Sequence, residues 1–323
     1  MVTQSQDPKC LVVGNYCHDV LIKDDAVLAE SLGGAVSFVS ATLDGLSVPS
    51  HCVAKVGSDF AYLVDHQPLL IPSSKTTLFR AHFSSKISRQ DRVLKRVHAC
   101  DSISSSDLSF NSKFDFGLAV GVAGEILPET LEKMIDLCGL VLVDIQALIR
   151  EFDAVDGTVR LVELKQTDFF RLLPKIGVLK ASAEEAPYVD VEEARKWCCV
   201  LVTNGKDGCT VYWKDGDLQI APFPAIQVDP TGAGDSFLGG FVAGLVHGLA
   251  VPDAALLGNY FGSLTVAQMG LPEFDSRLLE QVKDEVERRR LQCLGCHMGQ
   301  DDGLNFVKPL DHEEFHTVLS KAK

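Results

Sequence analysis

The chain has 323 residues, of which 46% are hydrophobic, enough for one large or two modest domains with a proper core. Its formal net charge of −14 argues against nucleic-acid binding, because phosphate contacts need clustered Lys and Arg. No apolar run reaches the roughly 18 residues that span a bilayer, and residues 1–9 lack the apolar part of a signal peptide. We therefore expect a cytoplasmic protein with no membrane partner and with reduced cysteines.

The first part of the chain alternates predicted strands and helices. Residues 9–14 form a short apolar run that ends in glycine, which is typical of a buried parallel strand. Residues 33–46 have the apolar spacing of a helix that opens with two glycines, and residues 51–56 predict the next strand. Residues 76–83 alternate and predict a strand that pairs away from the main sheet. The polar stretch 71–106 has little helical period and predicts a lid or a mobile loop.

The second part repeats this alternation more clearly. Predicted strands cover residues 114–122, 139–145, 176–179 and 198–202, with a hairpin at 209–213 and 218–220, and predicted helices cover residues 128–137, 233–247, 253–268 and 277–290. Strands that alternate with helices predict an α/β fold with a mostly parallel sheet covered on both faces. The tail beyond Arg290 lacks this pattern, so we expect it to be irregular and peripheral.

Residues 228–237, Val-Asp-Pro-Thr-Gly-Ala-Gly-Asp-Ser-Phe, form the most informative segment. Ile226 and Val228 predict a strand end that leads into a turn. Gly232 and Gly234 allow unusual backbone angles and the close approach of a ligand. The helix that follows has unpaired N–H groups in its first turn, and such groups can hold phosphate oxygens.

Asp235 lies in that first turn, where the helix dipole favours its ionised form. A carboxylate beside an anion-binding turn can accept a proton from a hydroxyl while the turn holds the phosphoryl group being transferred. The short motif Gly-Ala-Gly-Asp alone is equally compatible with a helix cap after a plain turn.

The longer string at 229–237 resembles the C-terminal signature of the ribokinase-like (PfkB) carbohydrate kinases, usually Asp-Thr-Thr-Gly-Ala-Gly-Asp, with Pro230 replacing a threonine. The resemblance extends over about residues 9–290, which implies a kinase domain at 1–290 and a C-terminal tail at 291–323. It implies a three-layer α/β sandwich with a small β lid from parts of 15–25 and 71–106. It also implies roles for four residues: Asp235 as catalytic base, and Gly232, Ala233 and Gly234 as the anion hole for the ATP phosphates.

Two N-terminal segments resemble the acceptor-binding parts of this family. Asp19 closes the run Gly-Asn-Tyr-Cys-His-Asp, and the resemblance implies that it binds substrate hydroxyls; an exposed loop aspartate is the alternative. Gly33 and Gly34 match the N-terminal Gly-Gly signature, where the substrate lies against backbone. Phe38 stands where the family often has asparagine, so a side-chain hydrogen bond to a sugar hydroxyl would be missing.

Further segments resemble the nucleotide-binding parts of the family. The run 179–186 is similar to the Asn-x-x-Glu segment, with Ser182 replacing asparagine, and implies that Glu185 orients water on Mg²⁺. A helix start in which Ser182 caps Glu185 is a compatible alternative. The other implied nucleotide contacts are Thr203, Gly205, Lys206 and Asn259, of which Asn259 could equally be an exposed helix residue.

The family phosphorylates sugars, nucleosides and related polyols. The segments around Asp19, Gly33 and Asp235 together most resemble those of plant myo-inositol kinases, which implies ATP and Mg²⁺ as cofactors and a small polyol substrate for a monomer or homodimer. In the family a monovalent cation can sit beside the anion-hole loop, which here implies a site near Asp229. Fructokinase or adenosine kinase activity is the alternative within the family, and a non-catalytic binding protein is the alternative from another class. The departures at Phe38 and Ser182 favour that last alternative, whereas the retained Asp235 argues against it.

Overall fold

A computed structural model describes residues 9–83, 93–293 and 304–323. The strands within these ranges are β1 (Cys10–Val13), β2 (Cys17–Lys23), β3 (Ala26–Gly33), β4 (Ser50–Val53), β5 (Lys55–Gly57), β6 (Leu69–Ile71), β7 (Thr77–Phe83), β8 (Val93–His98), β9 (Phe114–Ala119), β10 (Cys138–Asp144), β11 (Arg150–Phe152), β12 (Val159–Leu161), β13 (Val178–Ser182), β14 (Cys199–Thr203), β15 (Cys209–Trp213) and β16 (Gly216–Ile220). The helices there are α1 (Ala35–Gly45), α2 (Pro128–Leu137), α3 (Gln146–Ile149), α4 (Val191–Ala194), α5 (Ala233–Val246), α6 (Val251–Thr265), α7 (Ser276–Cys293) and α8 (His312–Ala322).

The central sheet has eight strands in the order β16-β15-β14-β13-β10-β9-β1-β4. The strands from β14 to β4 pair in parallel, and the β15–β16 hairpin adds antiparallel strands at one edge. Parallel strands are covered by helices on both faces and are therefore apolar throughout; β1 is buried along its whole length. The expected α/β class with a mostly parallel sheet is confirmed.

Two hydrophobic cores lie on the two faces of this sheet. Successive side chains of a strand point to opposite faces, and Val12 and Val13 of β1 accordingly belong to different cores. Val12 shares its core with Phe241 of α5 and with residues of α1 and α6. Val13 shares its core with Met134 of α2. The sheet is thus the middle layer of three, as the family resemblance implied.

A separate four-stranded sheet has the order β3-β2-β7-β8. It confirms that residues 76–83 pair away from the main sheet, and its strands fall in the ranges expected for the lid except for β3. The sequence analysis missed β3 because its hairpin turns at Asp24 and Asp25, with φ of 49° and 66°, where Asn-Gly is the usual signal. Residues 84–92 of the expected lid lie outside the described residues. That this sheet moves as a lid stays a prediction.

The C-terminal tail is not irregular, contrary to the expectation. Helix α8 buries Phe315 and Leu319 completely in the core on the α5–α6 face of the sheet. The apolar residues of α8 extend over only eleven residues and lie apart from the alternating strands and helices, so the sequence signal for this helix was too weak. Residues 294–303 of the tail lie outside the described residues.

The strand end expected at Ile226 and Val228 is also wrong. Residues 221–229 have no regular secondary structure, and these two side chains are 85% and 53% exposed. The N–H groups of Val228 and Asp229 donate to the carbonyl of Val266 just after α6, so a helix end takes the place of a strand partner. The single strand expected at 51–56 is divided into β4 and β5. Across the part of the chain that the structure describes, no helix has the length and apolar character to cross a membrane.

Candidate active site

One pocket, of about 580 Å³ including open solvent, brings together the predicted base and the predicted acceptor residue. Asp19 of β2 and Asp235 of α5 both line it. The remaining lining residues come from the four-stranded sheet, from the start of α1 and from the turns beside the main sheet: Leu21, Gly34, Ala35, Phe38, Phe79, Ala81, Leu94, Val122, Gln146, Arg150, Thr231 and Gly232. Residues that are far apart in the chain therefore converge on one cavity, as an active site requires.

The turn before α5 needs its glycines for different reasons. Gly232 is the N-cap of α5 and has a φ of 75°, in the left-handed region that glycine adopts without strain. A Cβ atom at Gly232 would lie 2.1 Å from ring carbons of Phe38, and one at Gly234 would lie 2.8 Å from Nζ of Lys180. The start of α5 is thus pressed between an aromatic ring and a buried cation. First-turn N–H groups at a helix start favour anions, although the N–H of Ala233 already donates to the carbonyl of Pro230 at 3.4 Å.

Asp235 is half-buried at the wall of the pocket, and its Oδ1 accepts a hydrogen bond from Nε2 of Gln146 at 3.1 Å. Burial raises the pKa of the Asp235 carboxyl, and the nearby charges of Lys180 and Arg150 oppose this rise only in part. The helix start alone was expected to favour the ionised form, so desolvation corrects that expectation. A carboxylate with a raised pKa is a stronger base, which suits proton abstraction.

A buried ion pair lies beside Asp235. Lys180 of β13 and Asp144 of β10 are register neighbours, and Nζ of Lys180 lies 2.9 Å from Oδ2 of Asp144. Burial lowers the pKa of Lys180, but Asp144, Glu185 and Asp235 together raise it, so Lys180 stays the cation of this cluster. Burial raises the pKa of Asp144, although Lys180 opposes the rise. The Lys180 ammonium group thus lies next to Gly234 in the first turn of α5.

The sequence analysis did not single out Asp144, Gln146, Arg150 or Lys180. Arg150 lines the pocket and donates from a guanidinium nitrogen to the carbonyl of Val122 at 3.3 Å. For Asp144 and Gln146 the available signal was their place at, or two residues beyond, the carboxyl end of an apolar strand, where ligands bind in open parallel sheets. A charged residue inside an apolar strand such as 178–182 was the clearest sign, because such residues are rarely buried without a partner.

Ser182 and Glu185 form a reciprocal turn after β13. The N–H of Ser182 donates to Oε2 of Glu185 at 2.9 Å, and the N–H of Glu185 reaches Oγ of Ser182 at 3.3 Å. Burial raises the pKa of Glu185, but Lys180 and the bonds from Ser182 outweigh it and the net shift is downward. The reciprocal bonds of the capping alternative are thus observed, but residues 183–185 form a turn and the next helix, a single 3₁₀ turn, begins only at Ala186. The turn holds an ionised carboxylate at the end of β13.

The predicted nucleotide residues form a second group, which does not line the pocket of Asp19 and Asp235. Ser182 and Thr203 are register neighbours at the ends of β13 and β14. Gly205 has a φ of 57° and open space around it, and Lys206 beside it is exposed. Asn259 is buried, not exposed, and its Nδ2 donates to the carbonyl of Ala221 at 2.9 Å. Asn259 therefore fixes the chain that leaves β16.

The acceptor side explains the glycine pair before α1. A Cβ atom at Gly33 would lie 2.0 Å from Oδ2 of Asp19, so the carboxylate rests on the backbone of its partner strand. Gly34 has a φ of 85°, and a Cβ atom there would lie 2.4 Å from the carbonyl oxygen of Asn15. Both positions therefore exclude a side chain: the Asp19 carboxylate occupies the space at Gly33, and the Asn15 backbone occupies the space at Gly34.

A preformed metal cage is absent from the described residues, where no group of three or more His, Cys, Asp or Glu side chains is arranged to hold an ion. Asp229, near the expected monovalent cation, accepts hydrogen bonds from the N–H groups of Thr231 at 2.9 Å and Gly270 at 3.4 Å. The water-mediated role of Glu185 on Mg²⁺ stays a prediction, as does the monovalent cation.

Sequence comparison finds relatives along nearly the whole chain. The profile described as pfkB family carbohydrate kinase matches residues 137–275. The chain is 56% identical to inositol 3-kinase of Arabidopsis thaliana over 98% of its own length and 87% of that protein. It is 52% identical to inositol 3-kinase of Zea mays over 97% of its own length and 86% of that protein.

Solved structures share the fold at low sequence identity. A pyrophosphate-dependent kinase in the ribokinase family, complexed with a pyrophosphate analog and myo-inositol, has a TM-score of 0.69 at 18% identity, over 82% of this chain and 97% of that chain. Ribokinase of Arabidopsis thaliana, complexed with ribose and ATP, has a TM-score of 0.65 at 17% identity, over 88% of this chain and 99% of that chain.

Proposed function

This chain belongs to the pfkB family of carbohydrate kinases, and from this premise we propose that it transfers the γ-phosphoryl group of ATP to a hydroxyl of myo-inositol. One observation carries the proposal: Asp19, Asp235 and the anion-binding turn at Gly232 line the same pocket. The acceptor is supported by relatives named inositol 3-kinase, at 52–56% identity over nearly the whole chain.

In the proposed reaction Asp235 takes the proton from the attacking hydroxyl. The new bond forms between that oxygen and the γ-phosphorus while the bond to the β-phosphate oxygen breaks, so that ADP leaves and the proton remains on Asp235. First-turn N–H groups of α5 and the buried charge of Lys180 stabilise the negative charge on the transferring group. Arg150, which lines the same pocket, adds a second positive charge near Asp235.

Acceptor selection is proposed to rest on Asp19 and Phe38. A carboxylate accepts hydrogen bonds from neighbouring hydroxyls, which suits a polyol. Phe38 offers an apolar wall to one face of a ring, and its side chain cannot supply the hydrogen bond of the usual asparagine. A sugar or nucleoside kinase activity remains the second candidate, because the same pocket residues can bind the hydroxyl groups of other rings.

Donor binding is proposed at the second group of residues. Ser182 and Thr203 lie side by side at the strand ends, Gly205 and Lys206 follow in an open turn, and Asn259 lies behind them. Glu185 would orient a water on Mg²⁺, which shields the phosphate charges when bound. A monovalent cation near Asp229 would act through the anion-binding turn at Gly232. The kinase domain is proposed to span residues 1–290 together with α8, because Phe315 and Leu319 of α8 lie in the same hydrophobic core, and to act as a monomer or a homodimer.

A panel of acceptors tests the proposal directly. The purified protein with ATP and Mg²⁺ is offered myo-inositol, fructose, ribose and adenosine, and inositol phosphate is expected as the main product. Pyrophosphate in place of ATP tests the donor. Transfer to adenosine or ribose but not to inositol would overturn the acceptor. A folded protein that binds ATP and inositol without any transfer would favour the non-catalytic alternative.

A further inference from the structure

The segment 221–225 joins the predicted nucleotide side to the anion-binding turn. It has no regular secondary structure, so its backbone polar groups need partners from elsewhere. Asn259 holds its first carbonyl, at Ala221. Further along the same connection, Val228 donates to the carbonyl of Val266 at 2.8 Å. Between these two anchors the path of the chain depends on other contacts.

Helix α8 and its C-cap residue Lys323 supply those contacts at three consecutive residues of the segment. Nε2 of His316 lies 3.0 Å from the carbonyl oxygen of Pro222, and because a carbonyl only accepts, His316 donates. The His316 ring also packs on Phe223, with ring centroids 4.5 Å apart. Nζ of Lys323 donates to the carbonyl of Pro224 at 2.7 Å.

The same lysine ties this segment to the helix that carries Asn259. Nζ of Lys323 also donates to Oγ of Ser263 at 3.0 Å, and Ser263 lies one helical turn after Asn259 on α6. Phe223 is 5% exposed and packs edge-on against Tyr260 of α6. The C-terminal helix, the segment and α6 thus form one packed unit.

Buried charges fix the position of α8 itself. Nε of Arg289 lies 2.8 Å from Oδ2 of Asp253, and Nδ1 of His312 lies 2.6 Å from the other oxygen of the same carboxylate. Arg289 and Asp253 are fully buried, and His312 is 3% exposed. Separating such groups would leave buried charges unpaired, which is strongly destabilising. Helix α8 is therefore a fixed part of the fold and can support the segment.

We propose that α8 positions segment 221–225 for nucleotide binding, with His316 and Lys323 as positioning residues that touch neither substrate. The inference rests on the proposed function, in that it places the nucleotide beside Asn259. When these two contacts are lost, the segment gains freedom, and nucleotide binding must restore its order. The expected effect falls on the nucleotide, because the acceptor pocket around Asp19 has no contact with α8 among its lining residues.

The test compares His316→Ala and Lys323→Met with Lys321→Met, which changes an exposed lysine on the same helix. Each of the first two should raise the KM and the calorimetric Kd for ATP about fivefold, the usual effect of one lost hydrogen bond. The acceptor KM should stay within about twofold, and Lys321→Met should match the wild type. His316→Gln, which keeps a donor at a similar position, should recover most of the ATP affinity.

Two outcomes would overturn the inference. One is an ATP Kd for His316→Ala and for Lys323→Met that equals the Kd of Lys321→Met. The other is an equal rise in the KM of ATP and of the acceptor, which would indicate a general loss of structure. Failure of the proposed function has a different signature, because the wild type itself would then transfer no phosphoryl group. If His316→Ala fails to fold, Lys323→Met gives the same comparison from the end of the helix.

Discussion

The ring of Phe38 lies against the backbone of Gly232, so that a Cβ atom at Gly232 would come within 2.1 Å of its carbons. Gly232→Ala should therefore displace the anion-binding turn as well as strain its left-handed backbone. We expect kcat to fall by about 100-fold or more, the range found when one oxyanion donor is lost. Steady-state kinetics with ATP and myo-inositol measure this effect.

Gly248→Ala is the matched control for that variant. Gly248 has a φ of 81°, but a Cβ atom there would meet nothing closer than 3.7 Å. It shares the backbone strain without the clash and should retain near-normal kcat. Adding Phe38→Leu to Gly232→Ala should recover part of the loss if the ring is its cause. Equal losses for the two glycine variants would contradict this explanation.

Asp235→Asn should abolish transfer while ATP still binds, because the amide cannot accept the proton. In the wild type, burial raises the pKa of this carboxyl, and only its ionised form acts as a base. The value of kcat/KM should therefore fall as pH decreases through a pKa above the ordinary value of about 4. A pH profile with no acid limb above that value, or near-normal turnover of Asp235→Asn, would contradict the assignment.

The same carboxyl should lower stability at neutral pH. A pKa that is raised in the folded state means that folding favours the protonated form, so its contribution is present at low pH and is lost as pH rises through the folded pKa. Asp235→Asn should accordingly keep or raise Tm at pH 7, and the gain should disappear at low pH. A clear decrease of Tm at pH 7 would show that Asp235 mainly stabilises the fold.

Substitution in the buried ion pair, in contrast to Asp235→Asn, is expected to lower the stability of the fold. Lys180→Met removes the partner of Asp144 and the positive charge that lowers the pKa of Glu185, and breaking such a buried pair typically destabilises by about 3–5 kcal/mol. Equilibrium unfolding in urea measures the change. Asp144→Asn added to Lys180→Met should recover part of it, since one unpaired charge is then removed.

An exposed pair provides the comparison for this prediction. Nζ of Lys95 lies 2.6 Å from Oδ2 of Asp156, and both side chains are substantially exposed. Lys95→Met should change the free energy of unfolding far less, because solvent screens such pairs. A loss for Lys180→Met no larger than that for Lys95→Met would mean that Asp144 simply becomes protonated when its partner is removed.

The sequence was most informative where the signal is local. The turn at Gly232, the start of the helix that follows and Asp235 all lie within a few residues of one another. A glycine in the sequence directly indicates where the backbone can adopt unusual angles. Strand and helix alternation likewise predicted the central sheet, because burial on both faces makes parallel strands apolar.

The sequence was least informative where distant residues assemble. Lys180 and Asp144 become partners only because β10 and β13 are neighbours in the sheet. Helix α8 is held by Asp253 and Arg289 from two other helices, and no local pattern in residues 312–322 indicates that contact. Tertiary burial also reversed the expected effect of the helix start on Asp235, since desolvation depends on the whole surrounding fold.

Asp19→Asn tests the acceptor side, where the carboxylate rests against the backbone of Gly33. A carboxylate accepts hydrogen bonds from hydroxyls through two charged oxygens, whereas an amide of the same size has one neutral oxygen. The acceptor KM should therefore rise about 10- to 100-fold, as expected for the loss of charged hydrogen bonds. The KM for ATP should change little, and kcat less than the acceptor KM. Glu30→Gln is the control, since Glu30 pairs with His18 and does not line the active-site pocket. Unchanged acceptor KM for Asp19→Asn, or an equal rise for Glu30→Gln, would remove Asp19 from the site.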